Sequence, residues 1–212
     1  GFEKSFRAPP AVRKLSSEPR PERRPPFVVE GDEYDTAFFE KTAKFLHYAP
    51  EIAIVTSIEH DHIDIYPTLE AYLEAFRRFV ALVPESGLIV ANGADRLVVD
   101  VVGAHARAPV SWFALEGEET FGVPPHWLAA PALSDERAQT FDLYAGGVAC
   151  GRLALPLPAR HNLKNALAAI GAVTQGFGVR LADVGHALAS FRGVRRRQEL
   201  LGTPRGAFIY DD

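Results

Sequence analysis

The 212-residue sequence contains no methionine and begins with Gly1. Translation needs an initiator, so the chain is expected to be an excised or processed part of something longer. Its one cysteine, Cys150, excludes an internal disulfide and fits a reducing cytoplasm. No apolar run reaches the length of a membrane span, and no signal-peptide pattern opens the chain. An excess of positive charge is also lacking: the formal net charge is −4, the wrong sign for a nucleic-acid surface. These absences imply a cytoplasmic chain with neither membrane nor nucleic acid as partner. With 47% hydrophobic residues there is apolar material for one substantial core.

Residues 8–26, "APPAVRKLSSEPRPERRPP", are rich in Pro, Arg, Glu and Ser and are expected to be a mobile loop or linker. The run "FVV" after them carries a buried-strand signal. "TAFFEKTAKFLHY" has Phe38, Phe39, Ala43 and Leu46 near helical spacing and suits either a short helix or an irregular segment. "EIAIVTSI" and "GLIVANG" read as strands. Between them, Leu69, Leu73, Phe76, Val80 and Val83 mark an amphipathic helix with Thr68 as N-cap. "VSWFAL" adds a strand, and "TFDLYAGGVACGRLALPL" reads as a hairpin turning at Gly146-Gly147. "HNLKNALAAIGAVTQGFG" is a helix with Leu163, Leu167, Ile170 and Val173 inward, stopped near Gly176 and Gly178. "RLADVGHALASFRG" is a further helix, and "GAFIYDD" begins a strand. The pattern predicts an α/β fold: a mostly parallel sheet flanked by helices, with an additional β-hairpin region.

The stretch "SIEHDHIDIYP" places Glu59, His60, Asp61, His62 and Asp64 directly after a strand. Glu30 likewise follows "FVV". Ligands of open α/β sheets bind outside the carboxyl ends of strands, so both clusters fall where a site is expected. A carboxylate with an imidazole suits a divalent cation that also holds phosphate oxygens. The same spacing suits a solvated loop with ordinary surface charges. His60-x-His62-x-Asp64 also begins like the zinc motif H-x-H-x-D-H, but the next residue is Ile65, and a catalytic zinc normally needs three protein ligands.

Four pieces in order carry a resemblance: "FVVEGDEYDTAFFEKTAKFLHYAPEIAIVTSIEHDHIDIYP", "RHNLKNALAAI", "FRGVRRRQELLG" and "IYDD". From about Phe27 onward the sequence resembles the central domain of the Mur ligases. The resemblance implies ATP-dependent amide-bond formation through an acyl phosphate, with ATP and Mg2+ as cofactors. The first motif favours the branch that joins UDP-N-acetylmuramate to the tripeptide L-Ala-γ-D-Glu-meso-diaminopimelate in peptidoglycan recycling. The sibling branch adds L-alanine instead. The resemblance assigns Glu30 and His62 as magnesium ligands, with Asp61 and Asp64 as orienting or loop-shaping groups. It places Asn162 and Asn165 against adenine, His161 near the metal, Arg197 on the γ-phosphate and Asp212 on the nucleotide ribose. For Asn162 a helix N-cap is the competing role; Arg195 and Arg196 keep the role of a solvated charge run.

The implied domains are a linker remnant over 1–26, the central ATP-binding domain over 27–206 and the start of a C-terminal domain over 207–212. Three departures stand out. No Gly-Lys pair occurs anywhere, so the family's phosphate-binding loop is lacking and the chain alone is expected to be inactive. Ser57 stands where many relatives have asparagine. "YLEAFRRF" has no lysine for carbamylation, as in relatives that act on UDP-N-acetylmuramate. A zinc hydrolase using His60, His62 and Asp64, and a non-catalytic nucleotide- or muramyl-peptide-binding module, are the alternatives.

Overall fold

The computed structural model describes residues 26–34, 42–135, 137–194 and 199–211. Six strands form one sheet in chain order: β1 (Ile52–Val55), β2 (Leu88–Asn92), β3 (Val110–Leu115), β4 (Trp127–Ser134), β5 (Gln139–Ala145) and β6 (Val148–Leu155). The first four run parallel, and β5 pairs antiparallel with both β4 and β6, so the expected mostly parallel sheet with a hairpin is present. The hairpin turns at Gly146 and Gly147, with φ of 55° and 82°. Two consecutive positive φ values match the right-handed twist of the strands, and glycine adopts them without steric cost.

Helices α1 (Leu69–Leu82) and α2 (Arg96–His105) supply the crossovers between the parallel strands. Thr68 caps α1 by accepting the Ala71 N–H at 3.2 Å, and Asp95 caps α2 through Val98 N–H at 2.9 Å. Side chains alternate across the sheet, as a period of two requires. In β2, Ile89 and Ala91 pack with Tyr72, Val80, Val98 and Val102 from α1 and α2. Val90 faces the other way, into a second cluster with Phe113, Leu163, Leu167 and Ile170. That face is covered by α3 (Arg160–Gly171) and α4 (Leu181–Ser190). Leu163, Leu167 and Ile170 are fully buried there and Val173 partly so, as their spacing predicts. α3 continues into a π-helical stretch, Ala172–Gly176. It approaches the sheet closely at Gly171, where a Cβ would lie 2.9 Å from Val90 Cγ1.

Three elements were not foreseen: α2, β4 and a short strand over Glu199–Gly202. One expectation fails. Phe27–Val29 joins no strand, and Phe27 and Val28 are 64% and 83% exposed. Apolar β-branched residues favour a strand only where a ladder partner receives them. Among the described residues β1 pairs with β2 alone, and Phe27–Val29 is not one of the sheet's strands. A separate two-stranded sheet pairs β7 (Glu199–Gly202) with β8 (Ile209–Asp211), so this hairpin straddles the expected domain boundary at 206. Linker residues 8–25, together with Phe38 and Phe39, lie outside the described residues. No helix among the described residues is long and apolar enough to cross a membrane.

Candidate functional site

At the carboxyl end of the sheet the loop after β1 meets the segment 30–34. Glu30, Gly31, Asp32, Glu33, Tyr34 and His62 line one open cavity of about 460 Å³. The two expected ligands, Glu30 and His62, therefore share a cavity, although Glu30 does not stand at a strand end.

The segment is held by local bonds. Tyr34 N–H donates to Asp32 Oδ1 at 2.8 Å, and Lys44 N–H donates to Tyr34 O at 2.9 Å. Lys44 opens a short 3₁₀ helix, Lys44–His47, whose Phe45 is 2% exposed and packs against Phe76 and Phe79. The core thus anchors the turn that carries the segment. The Tyr66 hydroxyl, from the other loop, donates to Glu33 O at 2.8 Å.

His62 has φ 56°, a left-handed conformation uncommon outside glycine. Asp61 Oδ1 accepts the His62 N–H at 2.7 Å, and the N–H groups of Ile65 and Tyr66 both reach His62 O at 2.8 Å. Asp61 thereby shapes the loop, the role expected of it. Non-glycine residues in this region concentrate at functional sites. The imidazole lies 4.1 Å from the Tyr34 ring, centroid to centroid, and its Nε2 is 3.1 Å from Glu33 Oε1. The Tyr72 hydroxyl donates to the same oxygen at 3.3 Å. Burial, and then the Glu33 carboxylate beside it, push the Tyr72 hydroxyl well above its ordinary pKa, so it stays a donor.

His60 is engaged elsewhere: its Nε2 donates to Tyr66 O at 2.9 Å. Among the described residues no group of three or more His, Cys, Asp or Glu could hold a metal ion. The zinc site of His60, His62 and Asp64 is therefore not formed, because the two imidazoles bond to different partners. A magnesium ion is less demanding. It takes one or two protein carboxylates, keeps several waters and accepts substrate phosphates. Glu30 and His62 on an open, acid-rich cavity fit that pattern.

The start of α3 is a second polar region. His161 and Asn165 are exposed, and Asn162 is half-buried. Asn162 Nδ2 donates to Pro158 O at 2.7 Å, so the side chain does not cap the helix. The N-cap is Ala159, at φ 74°, which gives no side-chain bond. None of the three residues lines the Glu30–His62 cavity. Glu118, in the loop after β3, accepts from Lys164 at 2.9 Å, from Arg160 at 3.2 Å and from Leu115 N–H at 3.0 Å. Burial pushes its carboxyl up, but the Leu115 N–H and the two cations outweigh burial and hold it below its ordinary value. Glu33 and Glu118 were not singled out from sequence. Arg195, Arg196, Arg197 and Asp212 lie outside the described residues.

Comparison with known proteins gives concordant findings. Residues 6–173 match the family model for the Mur ligase middle domain. The chain is 36% identical over 186 residues to the UDP-N-acetylmuramate–L-alanyl-γ-D-glutamyl-meso-2,6-diaminoheptandioate ligase of Escherichia coli K12, covering 88% of this chain and 38% of the relative. It is 37% identical over 185 residues to the UDP-N-acetylmuramate–L-alanine ligase of Pelotomaculum thermopropionicum, covering 87% of this chain and 37% of the relative. Among solved structures, the UDP-N-acetylmuramate:L-alanyl-γ-D-glutamyl-meso-diaminopimelate ligase of Neisseria meningitides superposes with a TM-score of 0.67 at 39% identity, covering 80% of this chain and 49% of that one. The chain thus spans well under half the length of these two curated relatives.

Proposed function

The chain belongs to the Mur ligase family, and from that premise we propose that it is the central ATP-binding domain of a cytoplasmic ligase joining UDP-N-acetylmuramate to the L-Ala-γ-D-Glu-meso-diaminopimelate tripeptide. The domain bounds proposed are 27–206, with a linker before and a C-terminal domain beginning at 207. The observation that carries the reading is the meeting of Glu30 and His62 at one cavity beside the carboxyl ends of the parallel strands.

In the proposed reaction a muramate carboxylate oxygen attacks the γ-phosphorus of ATP, and ADP leaves. The tripeptide amine then attacks the acyl carbon, phosphate departs, and the nitrogen loses a proton. Such transfer depends on positioning and charge neutralisation. Glu30 and His62 would hold Mg2+, which when bound offsets phosphate charge. Asn162 and Asn165 are assigned to the adenine edge, with donor and acceptor on each amide. His161 is assigned a catalytic place near the metal, Arg197 the γ-phosphate and Asp212 the ribose. The chain has no Gly-Lys pair to cradle the β- and γ-phosphates, so turnover is assigned to a longer protein containing it.

The identities to tripeptide- and alanine-adding relatives are nearly equal, 36% and 37%, so overall similarity does not choose between acceptors. The tripeptide is preferred on the motif "EGDEYDTAFF". The test is an ATP-to-ADP assay with UDP-N-acetylmuramate and either acceptor, using a full-length protein that carries this domain. Turnover with the tripeptide and not with L-alanine is expected. Turnover with L-alanine alone would move the chain to the sibling activity, and turnover with neither would overturn the ligase reading.

A further inference from the structure

The carboxylate nearest the His62 imidazole is not Glu30 but Glu33, with Oε1 3.1 Å from Nε2. A carboxylate accepts and cannot donate, so at this ion-pair distance the hydrogen is favoured on Nε2. In a neutral imidazole the lone pair then belongs to Nδ1. Asp61, at 3.9 Å from Nε2, is too distant to compete.

Glu33 is itself fixed from two sides. The Tyr72 hydroxyl donates to its Oε1 at 3.3 Å, and the Tyr66 hydroxyl donates to its backbone carbonyl at 2.8 Å. Both tyrosines are buried, at 3% and 7% exposure, and their rings pack edge to face. Oε1 therefore has the Tyr72 hydroxyl as a donor and the His62 Nε2 within ion-pair distance.

We propose that Glu33 is a positioning residue for His62: held by Tyr72 and Tyr66, it takes the Nε2–H of the imidazole and leaves Nδ1 as the atom that meets a divalent cation. The inference rests on the reading of His62 as a cation ligand and adds to it an assigned ring atom and the residue that assigns it. Partners of this kind orient a ligating histidine and raise its basicity.

The test uses the whole 212-residue chain, labelled with 15N-histidine, with Mn2+ or Mg2+ alone as probe. Without metal, the wild type should show a His62 ring proton on Nε2, slowed against solvent exchange. Glu33→Ala should lose that proton and bind Mn2+ about 10–100-fold more weakly. Glu33→Gln, whose amide oxygen still accepts, should keep the proton and stay within a few-fold of wild type. Glu30→Gln should keep the proton and lose Mn2+ binding. Circular dichroism checks that each variant is folded, and Glu33→Gln carries the test if Glu33→Ala is not. A ring proton on Nδ1 would overturn the inference. So would Glu33→Gln losing Mn2+ as fully as Glu30→Gln with the ring proton intact, because Glu33 would then be a ligand. If wild-type His62 showed the Nε2 proton but no Mn2+ broadening, the cation-site reading itself would fall, and the assignment of Nδ1 to a cation with it.

Discussion

The Lys164 ammonium, one turn into α3, lies 2.9 Å from the Glu118 carboxylate in the loop after β3. Arg160 and the Leu115 N–H bind the same side chain, so one carboxylate that is 16% exposed ties a strand end to the start of the helix that carries His161, Asn162 and Asn165. A charge with three donors in a partly buried place is costly to remove.

Glu118→Ala should therefore destabilise the fold by about 1–3 kcal/mol, because the donors lose a charged acceptor. The carboxyl is held below its ordinary pKa in the folded chain. Its stabilising effect is thus complete above the ordinary carboxylate range and is lost as pH falls through the lowered folded value. Urea unfolding of wild type and Glu118→Gln at neutral and acid pH checks this. The gap between them should be widest near neutrality and shrink on acidification; a gap that grows toward acid would contradict the assignment.

The hydroxyl of Ser111, on β3, is buried without a hydrogen-bond partner among the described residues. Its desolvation is not offset, so Ser111→Ala should raise stability by about 1 kcal/mol. Thermal unfolding would register this as a rise of roughly 2–4 °C. A fall in midpoint would mean that the hydroxyl has a partner in solution.

Much of this fold was legible because local chemistry and tertiary outcome agree. The Gly146-Gly147 turn, the Thr68 cap and the inward stripe of Leu163, Leu167 and Ile170 each depend on residues close in sequence. β4 was hidden because "WLAAPALS" has little strand propensity. Its ladder with β3 and β5 decides its conformation. Phe27–Val29 has the opposite history: strand-like residues without a ladder. In the site, the cavity shared by Glu30 and His62 was foreseen. Spacing could not tell which carboxylate of "EGDE" turns toward the imidazole, since that depends on Tyr66 and Tyr72 from distant sequence. Glu118 was invisible for the same reason: its partners are contributed by another element.

Arg197 is assigned to the γ-phosphate and Arg195 to solvent. In a full-length enzyme carrying this domain, Arg197→Ala should slow turnover about 10²-fold or more, with a smaller effect on ATP binding, because a guanidinium there gains most as charge develops in the transition state. Arg195→Ala should be much milder. Steady-state kinetics of both variants decide it. Equal, small effects would return the arginine run to a solvated surface.

The central claim is that Glu30 and His62 jointly hold the divalent cation that accompanies ATP. The most direct measurement is an anomalous-diffraction map of a full-length enzyme carrying this domain, crystallised with Mn2+ and a non-hydrolysable ATP analogue. A metal peak bonded to both a Glu30 oxygen and His62 Nδ1 is expected. A nucleotide-bound metal touching neither residue would contradict it.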